Sequence, residues 1–262
     1  MRRHYADTRH GQIHFVDEGA GPAVVLLHQT PRSCDEYRDV VPLLSDRFRV
    51  IAPDTLGFGS SDVPEPRWSI ELFADGVEDL LDALRVDSFG IVGHHTGGVV
   101  AVEVAARRPA NVRAVVLSGV PYVDRRRRAH VAERPSIDGV PLSDDGSHYA
   151  VLFEKRAPFY PVGRPDLRHR LMIDAVRLGE RVEEGHEAVN AYRMEERIVR
   201  VTAPALVVCG ELDEFSRPDV ARLVDRLPAA QSEILPGVGV PAVDEDPRLF
   251  AQVVGGFLDR HR

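Results

Sequence analysis

VGHHTGGV, residues 92–99, is the stretch on which the reading of this chain turns. A continuous apolar run, SFGIVG (88–93), leads into it, and a second, GGVVAVEVAARRPA, leaves it and ends its helix before Pro109. The first has the length of a buried strand and the second the spacing of an apolar helix. Between them stand Gly93, His94, His95, Thr96 and Gly97. Glycines flanking a central residue at a strand-to-helix turn form the frame G-x-S-x-G, which lifts a nucleophile above the sheet. The serine position holds His95. Histidine tolerates a positive φ better than β-branched residues do, and its ordinary pKa near neutrality suits a proton-transfer group. A position drifting without function would also lose its glycines, and both are kept.

Outward from the turn the chain alternates. AVVLLH (23–28), FRVIAPD (48–54) and VRAVVLSG (112–119) are further buried-strand runs, and IELFADGVEDLLDALRV (70–86) is an amphipathic helix. A hairpin about His10–Gly11 precedes them. Alternating strands and helices imply parallel pairing with right-handed crossovers. The rhythm stops near residue 120. Residues 121–202 are polar and helix-patterned, with DRRRRAH (124–130), SDDGSH (143–148) and the amphipathic RHRLMIDAVRL (168–178). APALVVCG (203–210), PDVARLVDRL (218–227), QSEILP (231–236) and a closing helix from Asp246 then resume it. The expected division is a core of residues 1–120 and 203–262 with a helical lid inserted over 121–202. An insertion of that length serves as a cover or binding element rather than a loose loop.

Composition sets outer limits. The chain has 262 residues, 44% of them hydrophobic, which is enough for one large globular core. A formal net charge of −8 argues against a nucleic-acid partner, which needs a basic face. No apolar run is long enough to cross a bilayer and the N-terminus lacks the apolar stretch of a signal peptide, so a cytoplasmic protein is expected. Two cysteines, Cys34 and Cys209, make no disulfide framework and read as small buried hydrophobes.

Four further motifs lie in order along the chain. LLHQTPRSCDEY (26–37) and PDTLGFGSSD (53–62) follow the first two buried strands, VVCGELDEFSRP (207–218) ends a late one, and LPGVGVPAVDEDPRLF (235–250) precedes the last helix. Together with the turn at 93–97 they resemble the α/β-hydrolase superfamily in its cap-bearing branch, over nearly the whole chain. The resemblance implies an eight-stranded, mostly parallel sheet flanked by helices. It implies an oxyanion hole from the backbone amides of Thr30 and Thr96, and an acid at Asp213. It also implies a catalytic histidine in the pattern G-H-x-x-x-x-E-x-P. Here that pattern runs from Gly239 to Pro247 with Glu245 and Pro247 in place, so the histidine position is Val240. Serine and general base are both missing, and a hydroxyl nucleophile without a positioned base is inert.

His95, with Asp213 as the best partner to fix its tautomer, is therefore the expected acid–base group. The hole made by Thr30 and Thr96 would stabilise an enolate or alkoxide. That suits a cyclase, lyase, decarboxylase or isomerase acting on a small carbonyl compound such as an ester, lactone or ketone. Two alternatives stand beside it: a hydrolase in which His95 activates water or attacks directly, and a non-catalytic small-molecule binder on the same scaffold. His28, Gln29, His94 and Val240 are expected to shape the pocket, His28 and His94 as bracing groups. Asp124 reads as a solvated loop residue and the arginine run 125–128 as a solvated face. Ser33, Ser60 and Ser118 sit on no such turn. Adjacent histidines without an H-x-x-x-H or cysteine partner make no metal site. No metal and no cofactor are expected. The partner is a small-molecule substrate, and the protein is a monomer or homodimer.

Overall fold

A computed structural model describes residues 1–262 except 66, 132 and 134. Eight strands form one sheet: β1 (Arg3–Thr8), β2 (Gly11–Glu18), β3 (Ala23–Leu27), β4 (Arg49–Pro53), β5 (Phe89–His94), β6 (Val112–Ser118), β7 (Ala205–Gly210) and β8 (Ala230–Leu235). Their spatial order is β1-β2-β4-β3-β5-β6-β7-β8. β1 and β2 make the expected hairpin about His10–Gly11, and β2 pairs antiparallel with β4. Every other pairing is parallel.

The continuous apolar runs have a direct cause. Side chains alternate across a strand, so a strand covered on both faces must be apolar at every position. Val25, Leu27, Ile91, Val115 and Val207 join one buried cluster, while Val24, Leu26, Val92, Val116 and Val208 join another. The first cluster is closed by α1 (Ile70–Ala83) and α2 (Thr96–Arg107). Ser69 caps α1 by accepting from the Leu72 amide at 3.1 Å. Tyr37, Val40, Leu44 and the closing helix Pro247–Asp259 cover the other face.

Between β6 and β7 the described residues contain helices and no strand: α3 (Arg125–Val131), α4 (Ser147–Lys155), α5 (Pro165–Leu178) and α6 (Glu184–Ala191), with short turns between them. This insertion has a small core of its own around Leu152, Tyr160, Leu167, Leu171, Ala175 and Val182. Two buried polar clusters fasten it to the sheet. Arg32, fully buried, donates to Asp244 and, through Nε at 2.9 Å, to Asp174 of α5. Glu103 of α2 accepts from the Tyr192 hydroxyl at 2.6 Å and from Arg197 at 2.8 and 3.0 Å. After the insertion come α7 (Arg217–Val224) and then α8, the Pro247–Asp259 helix already named. No helix among the described residues is long and apolar enough to cross a membrane.

Candidate active site

Parallel strands deliver their following loops to one edge of the sheet, and ligands of open α/β sheets bind there. His28 follows β3, His95 follows β5, Gly119 follows β6 and Asp213 follows β7. The turn after β5 is as tight as its glycines suggest. His95 has φ +45°, donates its amide to the Ser118 carbonyl at 2.9 Å, and returns its own carbonyl to the Gly98 amide at 3.0 Å. A Cβ on Gly97 would overlap the Leu27 carbonyl, and one on Gly93 would overlap the Gly97 backbone. The glycines are required by contact with backbone, which cannot move aside.

His95 lines a cavity of about 580 Å³ together with Gln29, Thr30, Thr96 and Val240 from the core side. Its two ring nitrogens differ. Nε2 is shielded from solvent and has no hydrogen-bond partner among the described residues. It lies beside Gly119: a Cβ there would stand 3.0 Å from Nε2 and 3.3 Å from Asp213 Oδ2. The absent side chain of Gly119 thus leaves room for the imidazole and the carboxylate to approach the same backbone point, with no direct bond between them. Nδ1 is the ring nitrogen left to the cavity. Burial, followed by the charge of His94, pushes the His95 imidazole well below its ordinary pKa, so it stands neutral.

Asp213 is buried and fixed. Oδ1 accepts the amides of Phe215 at 3.1 Å and Ser216 at 3.0 Å, and Oδ2 faces the Cys209 thiol at 3.8 Å. No histidine among the described residues pairs with it. Val240 lines the cavity and accepts from His94 Nε2 through its carbonyl at 3.1 Å.

His94 is the charged member of the doublet. Its Nδ1 meets Glu36 Oε1 at 3.0 Å while Nε2 meets the Val240 carbonyl. Both partners are acceptors, so both nitrogens donate. Burial opposes that charge, but the Glu36 carboxylate prevails and holds His94 above the ordinary histidine value. Glu36, penalised by burial but supported by His94, Arg32 and the Gln29 amide, is held at about 2. It also takes the Gln29 side-chain amide at 2.7 Å, so Gln29 and His94 brace one carboxylate. His28 donates from Nδ1 to the Gln29 carbonyl at 2.9 Å and accepts the Thr55 amide at Nε2, also at 2.9 Å. Those bonds fix a neutral tautomer that staples two loops. The Thr30 amide donates to Thr96 Oγ1 at a long 3.3 Å, and that hydroxyl donates to Thr30 Oγ1 at 3.0 Å. The Thr96 amide opens α2, where no intrahelical acceptor exists.

The insertion supplies the facing wall, where the sequence offered no signal. Arg156 and His186 line the cavity and converge on Asp138, which is fully buried. Their separations of 18 and 48 residues follow no motif. Glu36, seven residues beyond Gln29, was likewise hidden in a turn. The arginine run is solvated in part: Arg125 and Arg126 are exposed as expected, whereas Arg127 and Arg128 line the cavity, and Arg128 pairs with Glu195 and the Tyr192 carbonyl. Asp124 caps α3 through the Arg127 amide at 2.8 Å and pairs with Arg222. Cys209 is buried, but Cys34 is only half-buried. Cys34 lies with His14 and Asp54 in a cluster of metal-ligating types. There the Asp54 oxygens already take the Cys34 amide at 2.7 Å, the Ser60 amide at 2.7 Å and His14 Nδ1 at 2.8 Å. That is the bonding of a structural turn.

The chain resembles proteins of known name in two ways. Over 112 residues it is 41% identical to haloalkane dehalogenase 2 of Mycobacterium bovis, covering 42% of this chain and 39% of the relative. Over 121 residues it is 32% identical to the cis-3-alkyl-4-alkyloxetan-2-one decarboxylase of Shewanella oneidensis, covering 45% and 38%. The chain thus spans about two fifths of the length of these curated relatives. As a whole fold it superposes on the enol-lactonase of Burkholderia xenovorans LB400 with a TM-score of 0.82, at 20% identity and over 97% and 99% of the two chains. The family model described as the alpha/beta hydrolase fold matches residues 22–247. With the sheet order, the glycine-framed turn after β5 and this match over most of its length, the chain belongs to the α/β-hydrolase fold family.

Proposed function

We propose that the protein is an enzyme that works without the serine triad of its family, using His95 as a general base on a small carbonyl compound. The observation that carries this reading is the state of His95: neutral, held at a strained φ of +45°, with Nδ1 open to the cavity and Nε2 buried beside Gly119 without a hydrogen-bond partner among the described residues. Strain of this kind persists only where surrounding structure enforces it, and it clusters at functional sites. Val240 supplies no base, and no serine occupies the turn.

In this mechanism the substrate carbonyl oxygen displaces the Thr96 hydroxyl from the Thr30 amide and lies between the amides of Thr30 and Thr96. Nδ1 of His95 removes a proton from the adjacent carbon, or from a water attacking the carbonyl. Negative charge develops on the oxygen, where each fixed donor contributes about 3 kcal/mol. The imidazolium so formed carries Nε2–H beside Gly119, the backbone point that the buried Asp213 carboxylate also approaches. The same machinery serves decarboxylation, carbon–carbon cleavage, isomerisation or cyclisation. Both named curated relatives act on small molecules, one of them by decarboxylation of an oxetanone. A small molecule also fits a cavity of about 580 Å³.

The test is turnover of a panel of small ketones, β-keto acids, lactones and activated esters, by wild type and His95→Asn. Asparagine is chosen because it accepts positive φ. Loss of about 10² to 10⁴ in kcat, with a smaller change in KM, is expected, together with no serine labelling by a fluorophosphonate. Undiminished turnover by His95→Asn, or stoichiometric labelling of a serine, overturns the reading. Tight binding with every compound returned unchanged replaces it with the small-molecule binder.

A further inference from the structure

The insertion wall of the cavity holds an ion cluster that this reading of His95 does not use. Arg156 is 5% exposed, and its Nε donates to Asp138 Oδ1 at 2.5 Å while Nη2 donates to Asp138 Oδ2. His186 Nε2 bonds the same Oδ2 at 2.8 Å. The turn carrying Asp138 is itself pinned. Glu183 accepts the amides of Ile137 at 3.0 Å, Asp138 at 2.6 Å and Gly139 at 3.0 Å, and Lys155 donates to the Ser136 and Gly139 carbonyls. One edge of the guanidinium is therefore held rigidly, and Nη1, with its two N–H groups, is left without an acceptor among the described residues.

With one edge bound to Asp138, the guanidinium presents its remaining nitrogen, Nη1, at the cavity wall, and an anion there would receive charge-assisted hydrogen bonds. Arg128, in the same wall, already has one in Glu195. The acidic side chains of the wall are engaged elsewhere: Glu183 binds three backbone amides, and Glu187 is turned outward to Arg67 at 3.3 Å. Beside Arg156 stands an aromatic wall. Its guanidinium lies 5.5 Å from the Phe159 ring centroid, and Phe159 packs on Phe215 at 4.8 Å.

We propose that Arg156, oriented by Asp138 and flanked by His186, receives a carboxylate of the ligand. The ligand is then an apolar or aromatic acid whose body lies against Phe159 and Phe215. This deepens the reading of His95: the carboxylate end sits on the insertion and the carbonyl end on the core. It also couples the two ends, since the positive charge of Arg156 helps to keep His95 uncharged. A bound anion offsets that field and makes His95 a stronger base once substrate is seated.

The test is calorimetric binding of phenylacetate and of phenylacetamide, which share a shape and differ in charge. Wild type is expected to bind the acid at least about tenfold tighter than the amide, a difference of about 1.4 kcal/mol. Arg156→Gln is expected to erase that preference. The paired variant Arg156→Gln with Asp138→Asn removes both charges and keeps the shape, so it guards against misfolding from an unpaired buried carboxylate. Thermal unfolding confirms the fold of each. Equal binding of acid and amide by wild type, binding of neither at millimolar concentration, or a folded paired variant that still prefers the acid overturns the proposal. The readout is binding, not turnover. A failed carboxylate site appears in the acid-to-amide ratio, and a failed His95 reading appears in kcat.

Discussion

His94 and His95 are neighbours in sequence with ring centroids 4.5 Å apart, yet they hold opposite charge states. The difference lies in their partners among the described residues: a carboxylate and a carbonyl on His94, none on the nitrogens of His95. The sign of the pH dependence follows. His94 has a folded pKa above its ordinary 6.5, so its contribution is complete below 6.5 and is lost as pH rises through the folded value. Glu36 has a folded pKa of about 2 against an ordinary 4.5, so its contribution is present above 4.5 and is lost as pH falls through 2. The pair therefore stabilises most between pH 4.5 and 6.5. Glu36→Gln is expected to cost about 3–5 kcal/mol there, the usual effect of orphaning one member of a buried pair, and less at higher pH. Imidazole NMR titration is expected to show His94 titrating above the ordinary histidine range, His95 below it, and the His94 value falling in Glu36→Gln. A His94 that titrates normally in wild type sinks this account.

At the scale of elements, the turn after β5 and the closing helix α8 show when a glycine is structural. Gly97→Ala drives a methyl into the Leu27 carbonyl of β3. Overpacking of this kind costs about 1–3 kcal/mol, a fall of roughly 2–12 °C in Tm for a domain of this size. Gly256, in mid-helix, has open space where a methyl would stand, with no neighbouring atom of the described residues within 4 Å. Gly256→Ala is expected to gain about 0.5–1 kcal/mol from helix propensity. Differential scanning calorimetry of the two variants checks both signs, and a stabilised Gly97→Ala contradicts the geometry. These elements were legible in the sequence because their constraint is local. A strand covered on both faces must read as an apolar run, and a turn crowded by backbone must read as glycine. The helix 70–83 likewise announces itself by period and by its Ser69 cap, and the helix 96–107 by an apolar run that ends before Pro109. The turn singled out His95 for the same reason. Glu36, Arg156 and His186 gave no such sign. Their meaning comes from Gln29, His94 and Asp138, which only the tertiary fold brings to them, and a lone arginine or glutamate in a polar segment looks like any solvated charge.

At the scale of the whole molecule, the insertion is tied to the sheet by ionic contacts rather than by a shared apolar core alone. Arg32 is the centre of one tie, bonded to Asp174 of α5 and to Asp244 before α8, and Arg170 of α5 reaches Asp244 and Asp39. Asp174→Asn is expected to loosen that joint without unfolding the core. Hydrogen-exchange mass spectrometry would then show faster exchange in residues 165–178 and 32–37, and unchanged exchange in β3, β5 and β6. Uniform acceleration across the sheet would mean that the joint supports the entire fold. The sheet order has a last consequence, for biosynthesis. β6 is an interior strand whose second neighbour, β7, lies beyond the whole insertion. While the ribosome makes that insertion, at about 5–20 residues per second, the nascent chain exposes a bare, apolar edge for roughly 4–17 s. The small core of the insertion gives that segment apolar surface of its own to bury, so it is expected to collapse on itself before β7 emerges and to leave the edge for its own strand.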